Sequence, residues 1–474
     1  MPDSTAATIP AKASSESDLA YRASQTFLAK MPAYGVRQLR IWTVGSLLVL
    51  FCIVVPLLCV RGVVPDYKVS LLGKYLSLAL VALGIDLIWG YTGILSLCQA
   101  LFFCMGGYAM AMHLSLPQGG GDVRPEYHNI PQFMFFNNVY ELPVFWRPFS
   151  SLAFAIGAGI LLPGILAAVF GFFIFRSRVK GVYFSIVTQA VAWGAWLLIC
   201  RNEMLLGGTN GLTNFSKPLT QQRGWILSLY LLTLTVLVVA YLFCWMMTNS
   251  RLGRVLLAVR DRETRLYFAG YRPYAFKVFA FTLAAVLAGL GGMLYSPQVT
   301  MISPDNMKVQ ESITMVIWVA LGGRGRLWGA IFGSLLVNYM YASLTSDLPT
   351  LWPFIQGGMF LGVVLFFPDG IVGLWDSLER CMTAGAGLVR RAAFGVPLLA
   401  VAGFILGEGL ALTPAWMHAI VYQSPKLGKV ELKYVVLLEV LAACAISQGL
   451  LARGDNILRK RRPAGSAAAV AVRG

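Results

Sequence analysis

The chain is expected to fold as an all-α polytopic membrane protein, and three observations carry that expectation. Hydrophobic residues fill 57% of the 474 positions and charged residues only 12%, about half the charged share of soluble domains. Apolar runs close to the ~20 residues that cross a bilayer recur along nearly the whole sequence. These runs are continuous rather than alternating, which excludes a β-barrel.

In chain order, residues 1–38 are Ala/Ser/Thr-rich with few large apolar side chains and read as a disordered cytoplasmic tail. Spans are then expected at 39–60, 71–89, 93–115, 151–175, 181–200, 225–247, 275–296, 312–322, 327–345 and 353–373. These ten form one transmembrane domain, 39–377. Segment 312–322 is short and reads as a broken or half-membrane helix, which survives only when buried in protein or lining a cavity. A C-terminal extension, 378–474, adds two runs at 394–413 and 434–452 and ends in the basic Arg459-Lys460-Arg461-Arg462. Pairs such as Gly329/Gly333 permit close helix crossings.

The net charge of +17 does not require nucleic acid, because Lys and Arg fall between the apolar runs, mainly in alternate gaps, as the positive-inside bias demands. That bias puts both termini, Arg176, Arg178, Lys180, the 251–272 loop, Arg324 and Arg326 in the cytoplasm. The connections 116–150 and 201–224 then lie outside. The eight cysteines form no C-x-x-C pair and read as small buried apolar residues. His113 and His128 have no ligand partners at metal spacing, so no metal site is expected.

One gap is more than a connector. Arg251, Arg254, Arg260, Arg262, Arg265 and Arg272 crowd it, while Leu252, Val255, Leu256 and Val259 recur at helical spacing. The pattern predicts a short amphipathic helix with a basic face. A cytoplasmic helix wedged between two spans is where a soluble partner can push on a membrane protein.

The segments LGIDLIWGYTGILSL (83–97), FFCMGGYAMAM (102–112), RSRVKGVYFSIVTQA (176–190), GGTNGLTNF (207–215), GRVLLAVRDRETRLYFAGYR (253–272), FTLAAVLAGLGGMLYSPQV (281–299), ITMVIWVALGGRGRLWGAIFGSLLVNY (313–339) and FFPDGIVGL (366–374) carry a resemblance. Together they make the chain similar to permease subunits of ABC importers for branched-chain amino acids and urea (LivM-like). Within that family the chain looks closest to the urea-type C subunit (UrtC-like). The resemblance implies a second related permease, two ATPase subunits on the cytoplasmic face and an extracytoplasmic binding protein, all assembled in the lipid of a bacterial inner membrane. The chain has no G-x-x-x-x-G-K-[ST] phosphate loop. ATP and Mg are therefore expected on the partner ATPases, with no cofactor and no enzymatic step on this subunit. The 250–274 stretch matches the family's ATPase-coupling region, which singles out Arg254, Arg260, Asp261, Arg262, Glu263 and Gly270. A glycine at 270 is free to take φ > 0 and end the helix. Tyr267 and Phe268 stand where the wider importer class has small residues. Many relatives carry Ser-Leu-Gly-His where this chain has Ser96-Leu97-Cys98-Gln99; a glutamine hydrogen-bonds but does not titrate.

Candidate pathway residues are Asp86, Tyr91, Ser96, Gln99, Gln189 and Asn338. An ionised Asp86 in an apolar run costs at least a few kcal/mol unless paired or wetted. It lines the path, holds the Gly90-Tyr91-Thr92-Gly93 turn, or caps that turn. Uncharged amides and hydroxyls in spans suit urea, which is neutral, with one strong acceptor and four N–H donors. A zwitterionic amino acid prefers charged partners or helix termini. Taken singly, each amide is better read as interhelical glue. Gly207, Gly208, Asn210 and Gly211 form an outer turn, which the resemblance places against the binding protein or an external gate. The rival class, an ion-coupled carrier or channel, would be expected to show ionisable relays within its spans.

Overall fold

A computed structural model describes residues 66–117, 131, 134, 142–177, 179, 181–201, 206–213, 215, 223–347, 354, 356–358 and 370. All of them belong to one compact unit, 51–374. The expected tail 1–38, the spans 39–60, 394–413 and 434–452, the rest of the extension and most of 353–373 lie outside the described residues.

The described chain is almost wholly helical. Helix α1 (Asp66–Ile85) runs into a π-helical turn, Asp86–Thr92. Then come α2 (Gln99–Ser115), α3 (Leu152–Arg176), α4 (Val182–Cys200), α5 (Arg223–Asn249), α6 (Arg251–Phe268) and α7 (Pro273–Val299). Helices α8 (Val309–Gly322) and α9 (Leu327–Asp347) follow. Five stretches are long and apolar enough to cross a membrane: Asp66–Thr92, Leu152–Arg176, Val182–Cys200, Gly224–Asn249 and Pro273–Val299. The short strands β1 (Leu212–Thr213) and β2 (Met301–Ile302) pair antiparallel, Leu212 opposite Ile302.

Helix α7 is the hub, packing on α1, α2 and α3. Its small residues let backbones touch. A Cβ on Gly289 would lie 2.6 Å from the Gly159 carbonyl of α3, and one on Gly291 would lie 2.8 Å from the Ser77 carbonyl of α1. On α2 the carbonyl of Phe103 fills the space beside Gly292. Without a hydrophobic force between helices in lipid, such close van der Waals contact is what holds them together. Phe281 anchors the same helix, its ring edge-on to Phe102, Phe175 and Phe184 at 5.6, 6.0 and 5.9 Å. Helices α8 and α9 cross equally tightly, with Gly322 against the Gly329 carbonyl and Gly333 against the Trp318 carbonyl.

The two ends differ in chemistry. At one end Arg176 covers the Phe172 ring (5.5 Å), which meets Tyr274 at the start of α7 (6.5 Å); α6, the π-turn and the 323–326 loop gather there too. At the other end the β1–β2 pair sits with a knot in which Lys308 bridges Asp305 at 2.9 Å and lies over Trp196 at 5.3 Å.

One expected span is corrected. Residues 93–115 do not form a continuous helix: 93–98 are unwound and α2 starts at Gln99. Gly93 closes the π-turn in the left-handed region, φ 74°, where the helical path is lost. The freed backbone groups find partners on α4. Leu97 N–H donates to Thr188 Oγ1 (3.1 Å), and Ser185 Oγ donates to the Leu95 carbonyl (2.8 Å). Irregular backbone at membrane depth persists only when satisfied in this way by protein.

Candidate functional site: a basic-end junction and a helix break

Helix α6 forms where the spacing predicts it. Ser250 starts it, its Oγ accepting the Leu252 N–H at 3.2 Å. Leu256 and Val259 are buried and Leu252 partly so, and Leu256 packs with Leu87, Met247 and Ala280. Arg251, Arg254, Arg262 and Arg265 face outward, so the basic face is free. The helix kinks at Arg262 (φ −150°, ψ 65°) and ends before Gly270 at φ 81°. Phe268 stands almost wholly exposed, 93%.

Arg260 and Glu263 add polar ties between this helix and the membrane bundle. Arg260 Nη1 donates to the Gly90 carbonyl at 2.6 Å, and its Nε pairs with Asp261 at 2.9 Å. Its aliphatic stem fills the space beside Gly93, where a Cβ would lie 2.8 Å from Arg260 Cγ. Glu263 turns inward and bonds Lys277 Nζ of α7 at 2.7 Å, with both side chains largely buried. A charge-assisted bond of this kind is roughly twice as strong as a neutral one.

The π-turn passes the contact on. Asp86 is fully buried, and its Oδ1 accepts the Gly325 N–H at 2.6 Å. A Cβ on Gly90 would meet the Gly325 backbone, its nitrogen 2.6 Å away. Arg324 lies 5.4 Å above the Trp89 ring. Arg260, Gly90, Asp86 and Gly325 thus join α6, α1 and the loop after α8. Wide π-turns of this type recur at functional sites. Tyr91 packs on the Leu87–Leu256 cluster, beside this junction.

A second locus lies at the unwound 93–98 segment. Ser96 Oγ and Cys98 Sγ are 3.4 Å apart. Ala100 N–H donates to Ser312 Oγ of α8 at 3.2 Å. Gln99 between them is buried, and neither Oε1 nor Nε2 has a hydrogen-bond partner. Gln189 is half-buried beside Thr188. Asn338 stands apart on α9, donating to the Ser334 carbonyl of its own helix at 2.8 Å.

The turn 207–211 lies at the opposite end. Gly207, Gly208 and Gly211 all have positive φ (85°, 58° and 66°), Gly211 abuts Ile302 and Ser303, and Asn210 is exposed. The sequence reading did not single out Lys277, Gly325 and Ser312. Lys277, a lone cation in an apolar run, carried a usable signal. Gly325 and Ser312 act through a backbone N–H and a single hydroxyl and carried none.

Comparison with known proteins agrees with this architecture. Residues 68–364 match the family described as branched-chain amino acid transport system / permease component. The high-affinity branched-chain amino acid transport system permease protein LivM of Salmonella typhimurium is 25% identical over 320 residues, 62% of this chain and 67% of that one. LivM of Escherichia coli aligns to the same extent. The autoinducer 2 import system permease protein LsrC of Yersinia pseudotuberculosis is 27% identical over 217 residues, 44% of this chain and 59% of its own. No solved structure matches. With the family match spanning most of the helical unit, the chain belongs to the branched-chain amino acid transport system / permease component family.

Proposed function

We propose that this chain is the urea-type permease subunit of an ATP-driven importer, with a second related permease completing the path. ATPase subunits dock on the basic end, which is the cytoplasmic one, and an extracytoplasmic binding protein delivers solute to the 207–211 end. Both termini are cytoplasmic in a bacterial inner membrane. The observation that carries the importer reading is the Arg260–Gly90 bond. It fastens an amphipathic basic helix, free on its outer face, to a span that grips the loop after α8. Force applied to α6 by a soluble motor reaches the bundle through that bond. Arg254, Arg262 and the exposed Phe268 offer the motor a basic rim around an aromatic anchor, the composition that dominates binding hot spots.

The urea assignment is supported by the residues around the unwound segment. Ser96, Gln99, Thr188 and Ser312 are uncharged hydrogen-bonding groups suited to a neutral amide. The branched-chain amino acid reading is favoured instead by the LivM relatives. Uptake of labelled urea and labelled leucine by the reconstituted complex separates the two. ATP-dependent urea uptake lost on omitting this subunit is the expected result. Leucine uptake alone would overturn the substrate, and uptake without ATP would overturn the importer in favour of a carrier or channel. Reversing Arg260 and Arg262 to Glu is expected to leave ATP hydrolysis running while uptake falls at least tenfold.

A further inference from the structure

We infer that the Gln99 carboxamide is a solute-binding group inside the helical bundle, the station at which a neutral amide is recognised between the two ends of the path. The inference deepens the urea-permease reading and rests on it.

Position follows from helix geometry. Helix α8 ends at Gly322, just before the Gly325 junction with Asp86. From Gly322 back to Ser312 the helix rises about 15 Å at ~1.5 Å per residue, which sets Ser312 in the first turn of α8, well away from the basic-end junction. Ser312 Oγ accepts the Ala100 N–H, so α2 also begins at that level. Gln99 is the first residue of α2 and Cys98, before it, supplies no side-chain cap. The start of α2, just after the unwound 93–98 segment, therefore meets the first turn of α8 inside the bundle, and helices broken in this way build solute sites in transporters.

The second observation concerns Gln99 itself. It is 1% exposed, and its acceptor and its donor are both without partners. Its neighbours are engaged: Leu97 N–H with Thr188, the Leu95 carbonyl with Ser185, Ala100 N–H with Ser312. Buried side-chain amides that serve as glue are hydrogen-bonded, as Asn338 is. Gln99 makes no such bond, and an unspent buried amide lowers stability. Binding capacity held in reserve at the expense of stability is the kind of cost that function imposes.

The chemistry selects the solute class. A carboxamide offers both donor and acceptor atoms, the complement of urea's own carbonyl and N–H groups. Enclosure strengthens each neutral hydrogen bond and penalises a full charge. An ammonium or a zwitterion is refused there for the reason that a neutral diamide is accepted.

The test uses the full reconstituted complex with Gln99→Met, which is similar in length and apolar, and Gln99→Asn, which keeps the carboxamide. Urea moved per ATP hydrolysed is expected to fall at least tenfold in Q99M and less than threefold in Q99N. Binding-protein-stimulated ATPase should stay within twofold of wild type, and the Tm of Q99M should equal or exceed it. A wild-type complex that moves urea, with Q99M moving it equally well, would overturn the inference alone. A lowered Tm with ATPase lost in Q99M would assign the carboxamide to the fold and overturn it too. A wild-type complex that moves leucine and not urea would overturn the urea reading and this inference together.

Discussion

Helix α7 and the 93–98 segment cross the same bundle by opposite means. Around α7 the contact is made by removing side chains, so that Gly289, Gly291 and Gly292 bring carbonyls of α3, α1 and α2 to van der Waals range. The helices stay regular there, and the polar link between α7 and α2, from Ser296 Oγ to the Gly107 carbonyl at 3.1 Å, adds to the packing and replaces no lost helical bond. At 93–98 the helix is given up, and hydroxyls of Ser185, Thr188 and Ser312 replace the lost intrahelical bonds. The first region tolerates no rearrangement, because a packed crossing is bistable at best and never soft. The second trades one hydrogen-bond partner for another, which a passing solute can also do. Close backbone packing and exchangeable hydrogen bonding are thereby separated within one bundle.

The largest expected effect comes from filling the stiff region. Gly292→Leu forces a side chain into the Phe103 carbonyl and the Gly107 backbone. Overpacking against backbone costs about 3 kcal/mol or more, so no folded subunit should be recovered by size-exclusion chromatography in detergent. Recovery at wild-type yield would mean that α7 is not the rigid centre.

The next effect strikes the junction. Asp86→Ala removes the acceptor of the Gly325 N–H, leaving a buried donor unpaired at a cost of about 1–3 kcal/mol. Uptake per ATP is expected to fall at least tenfold, whereas Asp86→Asn, which keeps an acceptor oxygen, should retain most of it. Equal losses in both variants would show that charge matters more than the clamp. Smaller again is Thr188→Val, which deprives Leu97 N–H of its partner. It should lower Tm by the equivalent of about 1–3 kcal/mol, with Thr188→Ser near wild type by differential scanning fluorimetry.

Side-chain pattern and backbone partnership differ in how far they were legible. The all-α class and the helix at 251–268 were readable because hydropathy and period are properties of side chains; Leu256 and Val259 are buried as their spacing demands. Asp86 and Gln99 stood out for the same reason, as polar groups in apolar runs. The roles they take did not. Asp86 meets a backbone N–H 239 positions away, and Arg260 a backbone carbonyl 170 positions away. A peptide group has the same chemistry in every residue and leaves no trace in composition. The unwinding at 93–98 escaped notice for a related reason: Ile94, Leu95 and Leu97 read as membrane helix, and the α4 hydroxyls that take up the freed backbone groups lie some 90 positions away.

The smallest effect is the sharpest control on the contrast between the two regions. Gly194 lies in α4, and a Cβ built on it meets nothing within 4 Å. If the tolerance of a glycine is set by its surroundings, then Gly194→Ala removes only the conformational penalty of glycine in a helix, worth about 0.5–1 kcal/mol. Tm should rise slightly and uptake should be unchanged. The same change at Gly291 drives a methyl to within 2.8 Å of the Ser77 carbonyl and should lower Tm instead. Opposite signs for one chemical change, read in the same melting experiment, would locate the rigid crossing on α7 and clear the outer face of α4 of any part in it. A fall in Tm at both positions would mean that the α4 face is covered in the assembled protein.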